Sequence, residues 1–201
     1  MNKLISIVTA CAIGMCGSLV ANAADTEGKF AVKGAGKRMC SDFLKASEAK
    51  TTDYYLYGGW LEGYLSHFNS TQENTYDVTP WQSTELMLAL LQRHCQTNSD
   101  MHFLTATNSL IKTLFPIRLE ANSIMTKIDV QNTQSYYYSE ILLRAKKRLK
   151  ALGFLNGDVD ANYDNNDVKA FAAFQKSIGI RETGIPDQPT LMALFLKPTE
   201  K

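Results

Sequence analysis

Neither sign of charge is in excess in this sequence: 21 Lys and Arg stand against 20 Asp and Glu, a formal net charge of +1. A dedicated nucleic-acid binder carries a basic face, so this balance argues against a nucleic-acid partner. Histidine is scarce, at three residues (His67, His94 and His102), and none has ligand spacing to a cysteine. There is no HExxH, and no KTG follows the SxxK pattern at Ser109–Lys112. Metal-dependent and penicillin-recognising hydrolases therefore lack their signatures, and neither metal nor cofactor is expected. His94 adjoins Cys95, but neighbours on a helix point about 100° apart, which does not suit a thiol–imidazole couple. Glu62 and Glu85 could act as a carboxylate pair only if the fold set them at the required separation. The expectation is a protein without catalytic activity.

Composition is otherwise ordinary. The 201 residues are 45% hydrophobic and 20% charged, enough for one domain of typical size or two small ones. The amino terminus reads MNKLISIVTACAIGMCGSLVANA: Lys3, then an apolar stretch from Leu4 to about Val20, then Ala21-Asn22-Ala23. Small residues at −3 and −1 fit an export signal, residues 1–23, cleaved after Ala23. An anchor or a lipid attachment at Cys16 are the alternatives. Gly14, Gly17 and Ser18 weaken the first, and Met15 weakens the second. The style of the peptide points to a bacterial periplasm, with no membrane association after cleavage. Cleavage would remove Cys11 and Cys16 and leave Cys40 and Cys95, most simply one disulfide in an exported chain.

Periodicity predicts an all-α fold in two parts. Residues 24–38, with Gly28, Gly34 and Gly36, read as a flexible lead-in. Residues 39–117 read as a helical domain. Tyr57, Trp60, Leu61, Tyr64, Leu65 and Phe68 share one helical face, an aromatic stripe that belongs to a core. Thr79, Pro80 and Gln82 suggest the start of the next helix, with Leu88, Leu91 and Cys95 inward. Ser99 or Asp100 would cap a further helix carrying Phe103, Ala106, Leu110 and Leu114. Residues 118–137 show weak periodicity and read as a linker, partly helical at its start.

Residues 138–198 carry three short helices. Leu142, Ala145, Leu149 and Leu152 face inward on the first, with Arg144, Lys146, Lys147, Arg148 and Lys150 on its wet side. Asp167 is placed to cap the second helix and Asp187 the third. Between the first two lies LGFLNGDVDANYD, where Asp158, Asp160, Asn162 and Asp164 alternate as in a calcium loop. Such a loop needs Gly at its sixth position and a bidentate Glu at its twelfth. From Asp158 those positions hold Tyr163 and Lys169; from Asp160 they hold Asn165 and Phe171. Calcium is excluded in either register.

This order of landmarks resembles the bacterial peptidoglycan-binding domain of the three-helix type. Leu149, Leu152, Gly153 and Phe154 match its helix end and Gly-aromatic turn, and Gly157, Val159 and Asp160 its next loop. Phe171, Phe174 and Gln175 match the second helix; Gly179, Thr183, Gly184, Asp187, Thr190, Ala193 and Leu194 match the last turn and helix. Ala161 and Asp164 stand where the family has glycine. The resemblance implies a shallow peptidoglycan site at Phe154, Asn162, Tyr163 and Gln175, through stacking and hydrogen bonds. Packing by Phe154 and a helix-surface bond by Gln175 are the competing roles. The stretch MCSDFL at Cys40, with Cys95 and Phe103, resembles the HdeA-type periplasmic fold, which includes acid-stress chaperones and Rap/Tai-type immunity proteins. That likeness implies a disulfide-pinned bundle and a protein partner.

Overall fold

A computed structural model describes residues 24–196. The predicted leader, residues 1–23, lies outside the described residues. Among these, no helix is long and apolar enough to cross a membrane. Residues 24–31 fall in a unit of their own, and everything that follows concerns the unit beginning at Val32.

Its helices form where apolar side chains recur at three and four. Helices α1 (Cys40–Ala49), α2 (Thr52–Thr71), α3 (Thr84–Thr97) and α4 (Phe103–Leu114) build the first core. Phe43, Tyr57 and Phe103 meet at its centre with ring centroids 4.7–5.0 Å apart. Cys40 and Cys95, both fully buried, form a disulfide that ties α1 to α3. The aromatic stripe of α2 is core, as periodicity predicts.

Two starts differ from expectation. Helix α3 begins at Thr84 with Ser83 as its cap, accepting from Leu86 N, while Thr79 to Gln82 stay outside the helix as a turn. Helix α4 is capped by His102 rather than Ser99 or Asp100. A bridge between Met39 and His102 fixes the chain there, with Phe103 N donating to Arg38 O. The lead-in is also corrected. Residues 34–37 form a 3-10 turn under Trp60, whose indole donates to Lys33 O. Any Cβ at Gly36 would lie 2.1 Å from the Trp60 ring, so glycine permits the contact.

The largest correction is the segment read as a linker. It holds a β-hairpin, β1 (Met125–Val130) antiparallel to β2 (Thr133–Tyr138), closed by Gln131 and Asn132. Both turn residues have positive φ (52° and 64°), as a two-residue type I′ connection requires. Ile128 and Val130 are buried at period two.

Helices α5 (Ser139–Ala151), α6 (Asn165–Ser177) and α7 (Gln188–Phe195) build the second core. Gly153 and Gly179 end α5 and α6 in Schellman turns. In each, the second residue past the cap donates back to the third residue from the helix end: Phe154 N to Leu149 O and Ile180 N to Gln175 O. This core also takes Trp81 and Leu119 from the chain outside the three helices, with Trp81 against Phe195 at 5.9 Å. Gln188 holds the same turn with both ends of its amide, accepting from Ser83 N and donating to Trp81 O. Arg144 is half-buried rather than wet. It pairs with Glu140 and donates to the carbonyls of Ile117 and Arg118. The two cores are thus docked on each other.

Candidate functional site

The acid-rich loop between α5 and α6 is organised around an ammonium group. Lys146, predicted on the wet side of α5, is buried. Its Nζ donates to Asp167 Oδ2 at 2.8 Å, to Asn162 O at 2.8 Å and to Asp160 Oδ1 at 3.2 Å. All three protons are used, so the loop closes on an internal cation where a calcium loop would hold a metal ion. The pairing with Asn162 and Lys146 holds the Asp160 carboxyl below its usual range.

Asp167 does more than cap. The N-cap of α6 is Asp164, which accepts from Asn166 N and Asp167 N, and Asp167 returns the bond by accepting from Asp164 N. This capping box places the buried carboxylate of Asp167 under Lys146. The cap position predicted at Asp167 is therefore three residues late.

The four residues implied as contacts separate. Gln175 is fully buried, and its placement at a ligand surface is corrected. Its Nε2, with two protons, lies within 2.8–2.9 Å of three acceptors, Thr183 Oγ1, Ile185 O and Thr190 Oγ1, and its Oε1 accepts from Gly184 N. It ties the 183–185 turn to α6 and α7. Gly184 (φ +62°) allows this approach, since a Cβ there would meet Val168 at 2.6 Å. Tyr163 is half-buried, with its ring against Phe171 and its hydroxyl donating to Gly184 O. Burial raises its phenol well above the ordinary range. Phe154 is half-buried and meets Phe174 edge-on at 5.5 Å. Asn162 is exposed, and its Nδ2 donates to Asp160 Oδ2. Of the four, Asn162 stands fully at the surface and Phe154 and Tyr163 show part of their rings. Beside Ala161 a shallow cleft of about 360 Å³ opens, lined by Ser123, Ser139, Glu140 and Arg144 among others.

Residues 139–194 match the family model of the peptidoglycan binding domain. This segment is a domain of that type. The helix ends, the Gly-aromatic turn and the buried Gln175 network all lie within the matched residues. No curated protein and no solved structure matches the chain, so the HdeA-type likeness of the first core finds no relative to support it.

Three of the candidate catalytic groups elsewhere have partners. Cys95 is oxidised, so its position beside His94 offers no thiol. Ser109 Oγ donates to Thr105 O within its own helix. Glu62 accepts from Thr84 Oγ1. Among the described residues, no three His, Cys, Asp or Glu side chains cluster as metal ligands.

Proposed function

We propose that this is a non-catalytic periplasmic protein that binds peptidoglycan through its peptidoglycan-binding domain and presents the disulfide-closed bundle at the cell wall. The observation that carries the reading is the family match over residues 139–194, on a loop whose geometry Lys146 fixes from inside. A rigid backbone presenting Asn162, with Phe154 and Tyr163 partly exposed, lowers the ordering cost of contacting sugar and stem peptide. The test is co-sedimentation of the full-length chain with purified sacculi. The wild type is expected to pellet, and Asn162→Ala combined with Phe154→Leu to weaken pelleting. A wild type left in the supernatant would refute wall binding. Pelleting untouched by the double change would move the site elsewhere.

A second reading gives the bundle a protein partner, as a chaperone or immunity-type inhibitor. It is favoured by Tyr55 and Leu56, adjacent and exposed on α2. Failure of the protein to suppress client aggregation at low pH would count against the chaperone form of it.

A further inference from the structure

Between the hairpin and the turn that precedes α3 lies a groove of about 360 Å³, apart from the α5–α6 loop. Met125, Tyr136 and Tyr137 line one part of it, Trp81 and Gln82 another, and Gln188 reaches it from α7. No side chain lining it carries a charge. Tyr136 is 60% exposed and offers a free ring face. Trp81 and Gln82 are only 7% and 9% exposed, yet Trp81 Nε1 and Gln82 Nε2 have no hydrogen-bond partner among the described residues. Buried donors are nearly always paired, and these two unpaired ones belong to residues that line the groove, where a ligand bringing acceptor oxygens would come nearest to them.

We propose that this groove is a second binding site, taking an uncharged N-acetylated glycan strand along the tyrosines. Aromatic planes beside amide and hydroxyl groups suit sugar rings, whose C–H faces stack and whose hydroxyl and acetyl oxygens accept. The absence of charge disfavours the stem peptides, which carry carboxylates and amines, and so selects the glycan. Only Gln188 among these residues lies in the segment matched to the family, so the groove belongs to this chain's combination of hairpin, turn and domain. The source of the ligand rests on the wall-binding reading.

The test uses the ¹⁵N-labelled full-length chain, whose two tryptophans give two indole N–H signals. Trp60 is already bonded to Lys33 O and serves as the internal reference. On titration with neutral N-acetylglucosamine oligosaccharides as the glycan probe, the Trp81 signal should move and the Trp60 signal should not. Tyr136→Ala, at an exposed position, should weaken the response by roughly fivefold to tenfold without changing Tm. An unmoved Trp81 signal at saturating glycan, in a protein that still pellets with sacculi, overturns the groove and leaves wall binding intact. Movement with a proline-rich peptide and not with glycan overturns the ligand class. Movement with glycan in a protein that does not pellet keeps the groove and removes the domain as the wall anchor. No response in either assay sinks both.

Discussion

In the first core a covalent bond lies among aromatic rings, and closure of the bundle depends on oxidised Cys40–Cys95 beside Phe43, Tyr57 and Phe103. In the second core, hydrogen bonds take the place of that bond. Lys146 with Asp167 fastens α5 to α6, and Gln175 fastens α6 to the 183–185 turn and α7. A small three-helix domain buries too little apolar surface to be secure by burial alone. Buried polar groups are a different remedy from a disulfide. They add specificity, and they destabilise sharply when one partner is removed.

The largest effect that separates the two remedies should come from Lys146→Ala. It strands the Asp167 carboxylate and is expected to lower stability by ~3–5 kcal/mol in chemical denaturation, whereas Lys146→Met with Asp167→Asn, which removes both charges and keeps an acceptor for Asp164 N, should recover most of that loss. Reduction of Cys40–Cys95, which closes a 55-residue separation, should remove about 4 kcal/mol on the chain-entropy account. Because Trp81 and Leu119 reach into the second core, the reduced protein should still melt in one calorimetric transition; two separated transitions would show independent cores.

Smaller changes sharpen the contrast. Gln175→Leu leaves Gly184 N without its acceptor, while Thr183 and Thr190 keep their bonds to Asp187, and should lower stability by ~1–3 kcal/mol, read from the urea midpoint. Gly36→Ala meets the Trp60 ring at 2.1 Å and should lower stability by ~1–3 kcal/mol, with a shift in the Trp60 indole signal as the local readout. The smallest effect concerns pH. Burial raises the Asp77 carboxyl above its usual range. A raised folded value means that its contribution is fully present below the ordinary carboxylate pKa and is lost as pH rises through the raised one. Asp77→Asn should therefore flatten the stability profile across that window and leave it unchanged on the acid side.

How much of this was legible in the sequence depends on the kind of signal each segment carries. Helices with apolar residues at three and four could be read, and so could the glycines that end α5 and α6. The hairpin could not. Its turn is Gln131-Asn132 in place of a glycine pair, and β2 runs TQSYYY, with three aromatics in a row and no alternation. Lys146 was misplaced by its charge, although it lies four residues after Leu142 and three before Leu149, on the inward face. Gln175 likewise sits among Phe171 and Phe174, and a polar residue at a core position was the available clue. The landmarks of the family could be found in order because they are mostly backbone requirements. Which of those landmarks stand at the surface could not, because exposure of Asn162 and burial of Gln175 depend on which neighbours satisfy them. The Trp81 groove had no sequence signal, since its residues meet only after both cores have docked.

Gln188 grips the backbone on either side of Gln82 with a single amide. A module joined by a flexible tether wanders through a sphere set by the length of its linker, and its concentration at any fixed target falls as that sphere grows. Here the clasp removes that freedom. If the C-terminal domain lies on the wall, the direction in which α2 points is decided at the same moment, and a partner would meet Tyr55 and Leu56 from one fixed bearing.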